Sequence, residues 1–135
     1  MRGQRVGLVL AVATVMLSGC VSAPSPFDRA RTPEDTVPAV AVKYVEQGDP
    51  GTSRYQGTAD GHDLYLLRGT GEMQVCLVYT DGTADGSLSA CSGGARLGMS
   101  TPNRSEFEVQ LAGFTDKPAE GQVQLSPWVR QTSQR

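Results

Sequence analysis

From Ser105 to Phe114 the chain reads SEFEVQLAGF, apolar and polar residues alternating one for one. In an extended chain Phe107, Val109 and Leu111 fall on one side and Glu106, Glu108 and Gln110 on the other, which predicts a strand with one face on a core. GQVQLSPWV (121–129) repeats the pattern with Val123 and Leu125 inward, until Pro127 interrupts it. AVAVKYVE (39–46) has the same period, Val40, Val42 and Tyr44 alternating with Ala41, Lys43 and Val45, and also reads as a strand before QGDPG punctuates it. HDLYLLRG (62–69) is a short apolar strand between glycine turns. EMQVCLVYT (72–80) is apolar on both faces, with Val75, Leu77 and Tyr79 on one and Cys76 and Val78 on the other, so it predicts a central strand covered on both sides. No stretch beyond residue 20 has a 3.6-residue apolar stripe. Short strands separated by Gly-, Asp- and Pro-rich turns predict an all-β fold, a small antiparallel sandwich or barrel.

EMQVCLVYT is followed by DGTADG (81–86) and SLSACS (87–92), a strand, a turn and a second strand. Folding this hairpin about its middle sets Cys76 opposite Cys91, where an antiparallel pair reaches disulfide geometry with little backbone movement. GTADG occurs twice, at 57–61 and 82–86. Calcium loops place acids at alternate positions; Gly82, Thr83 and Ala84 separate Asp81 from Asp85 and break that rule, so the repeat reads as turn chemistry used twice.

The amino terminus has a different pattern. MRGQR carries Arg2 and Arg5 and no acid, and the apolar run Val6–Leu17, broken only by Thr14, is shorter than the ~20 residues a membrane span needs. It reads as the core of a secretory signal. It ends in Leu17-Ser18-Gly19-Cys20, a branched aliphatic residue, two small residues and a cysteine. These residues resemble the lipobox of bacterial lipoproteins. The resemblance implies cleavage before Cys20, a diacylglycerol thioether on its sulfur, and a protein held at the extracytoplasmic face of the cell membrane. Two acyl chains at about 0.8 kcal/mol per buried CH₂ make a stable anchor. VSAPSPFDRARTPEDTVP (21–38) has four prolines and no periodic apolar face, and reads as a flexible tether. The expected organisation is a signal peptide over 1–19, lipidated Cys20 and tether over 20–38, a β domain over 39–130 and a C-terminal tail over 131–135.

Composition narrows the function. The chain has 12 Lys and Arg against 14 Asp and Glu, a net charge of −2, and loss of Arg2 and Arg5 with the leader takes it to −4. With no basic cluster it has no electrostatic basis for nucleic-acid binding. His62 is the only histidine, so a His-based metal cluster is excluded. A Ser-His-Asp triad would need His62 with Asp60 or Asp63 and a distant serine, without the G-x-S-x-G elbow. At the edge of a turn, His62 reads as an ordinary exposed side chain. Trp128, after Pro127, reads as core or edge packing before it reads as a stacking surface for a sugar. No catalytic residues, metal or cofactor are expected.

The order Ser53, Arg54, Tyr55, Gly57, Tyr65, Val75, Cys76, Leu77, Val78, Cys91 resembles small secreted or membrane-attached proteins of high-GC Gram-positive bacteria. That resemblance implies an envelope context and a disulfide, and nothing catalytic. SGGAR (92–96) begins like the Ser-Gly-x-x-Tyr loop of lipid-anchored lysozyme inhibitors, with Ala95 in place of the tyrosine and no aromatic at Leu97. Two readings follow: a non-enzymatic envelope module that contacts a wall polymer, a small ligand or another envelope protein, or an inhibitor of a wall-cleaving hydrolase. Aromatics gathered on one sheet face would favour the first, and a protruding loop at Ser92–Arg96 the second.

Overall fold

The doubly apolar segment lies inside the first of two sheets in a computed structural model that describes residues 24–133. The strands are β1 (Arg54–Ala59), β2 (His62–Arg68), β3 (Val75–Thr80), β4 (Ser87–Ser92), β5 (Arg96–Ser100), β6 (Ser105–Gln110), β7 (Gln122–Ser126) and β8 (Val129–Ser133). They form two antiparallel four-stranded sheets, ordered β1-β2-β3-β4 and β5-β6-β8-β7. The sheets face each other around Leu64, Leu66, Val75, Leu77, Tyr79, Leu97, Met99, Phe107, Val109 and Val129, all buried. Every residue of β3 is buried, as its two apolar faces predict. In β6 the alternation is kept: Ser105, Phe107 and Val109 buried, Glu106 and Glu108 exposed. Leu111, just past the strand, is half-buried at the rim of this core.

A second apolar cluster lies on the outer face of the first sheet, where Tyr65, Leu67, Cys76 and Val78 meet Val37, Ala41 and Val45. This overturns the strand expected at 39–46. Ala39–Val42 is a short α-helix, α1, entered through Pro38. Ala41 is its buried residue, with buried Val37 and Val45 four positions to either side, while Tyr44 is 48 % exposed. The period of two was real in the letters, but the packing follows the helical spacing and covers the sheet that β3 needs covered.

The tether expected over 20–38 is also corrected for its described part. Residues 24–38 lie on the domain as a strap, with Pro26, Phe27, Asp35 and Val37 buried. Asp35 holds it. Its carboxylate accepts from Arg29 Nη1 and Nη2 at 2.6 and 2.5 Å, from the Thr32 N–H at 2.8 Å, and from the Tyr55 N–H of β1 at 2.8 Å. The last of these satisfies a donor on an outer strand of the sheet, which would otherwise be a pairing liability. Arg54, 8 % exposed, donates to the carbonyls of Phe27 and Arg29 from one side and of Thr52 and Ser53 from the other. The Ser53 hydroxyl donates to the Asp35 carbonyl at 2.6 Å. At the strap's start, Trp128 Nε1 donates to the Pro24 carbonyl at 3.0 Å.

The carboxyl-terminal boundary moves as well. Residues 131–133, expected as tail, belong to β8, where Gln131 pairs with Phe107 and Ser133 with Ser105. Val123, expected inward, is 54 % exposed. It sits on β7, which pairs only with β8, and a bulge between Gln124 and Ser126 separates it from half-buried Leu125. A matching bulge between Tyr55 and Gly57 lies across the seam. There the Ser126 hydroxyl donates to Gln56 Oε1 at 2.6 Å, linking the outer strands of the two sheets.

The disulfide forms where the hairpin register predicts. Cys76 pairs with Cys91 across β3 and β4, with Cα atoms 4.0 Å and sulfurs 2.00 Å apart. The two GTADG copies fold differently. In the first, Asp60 and Gly61 form a two-residue turn with positive φ at both (54° and 73°), the geometry that Asp-Gly favours. The second lies in a longer loop between Thr80 and Ser87, where Asp81 Oδ1 accepts from the Thr83 N–H and hydroxyl at 2.9 and 2.5 Å.

Candidate functional site

Three turns gather at one pole of the domain: Asp60–Gly61 between β1 and β2, the loop 81–86 between β3 and β4, and 101–104 between β5 and β6. Between them opens a cleft of about 240 Å³ lined by His62, Tyr79, Asp85, Leu88, Pro102 and Asn103. β2 starts here and β3 ends here; Leu64 pairs with Tyr79, so His62, two residues before Leu64, lies diagonally beside Tyr79 on the same face. Their rings stack with centroids 4.0 Å apart and planes 7° apart, and Tyr79 tilts onto Phe107 behind it at 5.4 Å. His62, expected to be an ordinary exposed side chain, is half-buried. Its Nδ1 lies 2.8 Å from the Asp60 carbonyl oxygen. A carbonyl only accepts, so Nδ1 carries the hydrogen and the neutral ring keeps Nε2 as its acceptor.

Tyr79 is 3 % exposed, and its hydroxyl is sealed from solvent, with the Asn103 side chain beside it but no complete hydrogen bond by distance and angle. Burial pushes the phenol above its ordinary value, the Asn103 side chain acts against that rise, and the charges of Asp60 and Asp81 add to it. Asn103 Oδ1 is engaged by the Thr101 hydroxyl. The Asp60 carboxylate turns away from the cleft to join the sheets: it accepts from the Ser105 hydroxyl at 2.6 Å and from Gln131 Nε2 at 2.9 Å. The arrangement offers an aromatic and aliphatic wall, a dry hydroxyl and one carboxylate. That is the chemistry of a small-ligand site.

The remaining sequence-selected residues lie elsewhere. Cys20 and the signal segment 1–19 are outside the described residues. Trp128 is half-buried and occupied by Pro24, which fits edge packing. The loop at Gly93–Arg96 is exposed, at the pole opposite the cleft, where β4 ends and β5 begins. Tyr44 is the one aromatic among the exposed large hydrophobic residues described, so no aromatic face is gathered on a sheet. The Ser53-Arg54-Tyr55 run grips the strap through all three residues. Among the described residues no group of His, Cys, Asp and Glu is placed to hold a metal ion, and no helix is long and apolar enough to cross a membrane.

Sequence reasoning missed the cleft because its parts are ordinary alone. His62 and Tyr79 meet only through the β2–β3 register, and Pro102 and Asn103 arrive from the other sheet. No family model, curated protein or solved structure matches this chain.

Proposed function

We propose that this chain is a lipid-anchored protein of the cell envelope, held on the extracytoplasmic face of the membrane through Cys20, and that its β domain is a non-catalytic binding module. Its partners are a wall polymer, a small ligand or another envelope protein. The observation that supports this reading most is the Cys76–Cys91 disulfide. A structural disulfide fits an oxidising compartment, and it accounts for two of the three cysteines, leaving Cys20 for the lipid.

The strap gives the reading a direction. Four residues from Cys20 to Pro24 reach at most about 14 Å, so a lipid on Cys20 draws the Trp128 pole toward the bilayer. The cleft is at the other ends of the same strands, roughly 17–20 Å away, and faces outward. The experiment is a pull-down of the purified full chain against solubilised envelope proteins and against purified peptidoglycan. Saturable retention of either supports the module with a polymer or protein partner, and retention of neither removes both of those partners.

A second reading, an inhibitor of a wall-cleaving hydrolase, has the exposure of Gly93–Arg96 behind it. Lysozyme inhibition by the wild-type chain that is lost in Arg96→Ala supports that reading, and full lysozyme activity in the presence of excess chain removes it.

A further inference from the structure

We propose that the cleft between His62 and Asn103 is the module's ligand site, and that it takes a compact apolar group bearing a primary amine. This rests on the binding-module reading above and names the chemistry of its site. Leu88, Pro102 and the surface of His62 not used against Tyr79 make an apolar wall for the body of such a group. The polar end has two receivers. The first is the Tyr79 hydroxyl, sealed beside the Asn103 side chain without a complete hydrogen bond; a buried hydroxyl so placed is costly, and a ligand donor that moves Asn103 aside gives it that bond. The second is Asp85, the only charged side chain on the cleft wall. A carboxylate at the mouth attracts an ammonium and repels an anion. Phe107, packed behind Tyr79, keeps the phenol ring from retreating into the core.

The test uses the purified full chain in detergent and three matched probes, benzylamine, benzyl alcohol and benzoate, read by the NMR signals of the His62 and Tyr79 rings. Benzylamine is expected to shift both rings saturably, benzyl alcohol more weakly, and benzoate not at all. Tyr79→Phe keeps the ring packing and is expected to weaken benzylamine about fivefold, the size of one lost hydrogen bond, with a melting temperature no lower than wild type. Asp85→Asn is expected to remove the preference for benzylamine over benzyl alcohol. Absence of a saturable shift with benzylamine, equal binding of benzoate, or unchanged affinity in Tyr79→Phe would overturn the assignment. The pull-down separates this failure from that of the module: envelope partners retained equally by wild type and Tyr79→Phe, without amine shifts, leave the module standing and remove the cleft as its site.

Discussion

The guanidinium of Arg29 lies end-on against the carboxylate of Asp35, Nη1 and Nη2 each on one oxygen, at 2.6 and 2.5 Å. Arg29 is half-exposed while Asp35 is buried, so the pair anchors a surface strap to a dry point beside β1. With the Thr32 and Tyr55 N–H donors it holds the Asp35 carboxyl well below the usual carboxylate range, the Arg29 hydrogen bond being the largest cause. A carboxylate depressed in the folded state stabilises the fold above its unfolded value of 3.8 and ceases to do so as pH falls below it. Chemical denaturation at a series of pH values should therefore show stability falling below about pH 4, with that part of the fall absent in Asp35→Asn.

Removing the carboxylate outright has a larger effect. Asp35→Ala leaves the Tyr55 and Thr32 donors without their acceptor and should lower stability by about 1–3 kcal/mol, the usual result of leaving a buried donor unpaired. A fragment beginning at residue 37 should be destabilised in the same way, because it lacks Asp35 together with the strap that Arg54 grips. Equal melting temperatures for the full chain and the 37–135 fragment would show the strap to be incidental.

The disulfide spans 15 residues of sequence. Closing a loop of that length restricts the unfolded chain by about 3 kcal/mol. The double variant Cys76→Ala/Cys91→Ala should lose about that much, seen as a drop in melting temperature of roughly 10–20 °C for a domain of this size. Non-reducing peptide mapping of the native protein should recover one cross-linked pair.

How much of this was legible in the letters depends on how far apart the partners are. β3, β4, β6 and the cysteine pairing could be read because alternation and a turn are local signals, and the hairpin register follows from them. The strap could not be read that way. Its four prolines and scattered charges have the composition of a linker, and Asp35 becomes a structural residue only when Tyr55, twenty positions later, comes beside it. α1 reads as a strand because a period of two and a spacing of four share half their positions, and a small Ala41 gives no sign that it is fully buried. The last three residues of β8, 131–133, read as tail because Gln131, like Arg130 before it, looks like a surface residue. Both are buried by specific partners, Arg130 with Gln124 and Asp116 and stacked over Phe114, Gln131 with Asp60 and Ser105.

His62 shows the same limit from the other side. A lone histidine beside a turn gives no hint of a stacking partner, yet the β2–β3 pairing lays it flat on Tyr79. His62→Ala should cost about 1 kcal/mol, the range of an aromatic pair beyond its area, measured by urea denaturation. A cost within experimental error of zero would return His62 to an ordinary surface residue.

Gly69 tests the turn that joins β2 to β3. Its N–H donates to the Gln74 carbonyl at 3.0 Å, and a Cβ there would come within 2.3 Å of the Met73 carbonyl oxygen. That obstacle is backbone, so Gly69→Ala must reshape the turn. It should lower stability by about 1–3 kcal/mol, whereas Gly61→Ala, with open space around it, meets only the strain of its positive φ.

The central claim is that a lipid on Cys20 holds this domain at the membrane, and cell fractionation of Cys20→Ala beside wild type tests it most directly. Wild type should sediment with membranes and release only with detergent, while Cys20→Ala should appear in the soluble fraction or persist as an unprocessed precursor. A variant that is processed normally and sediments like wild type would contradict the claim.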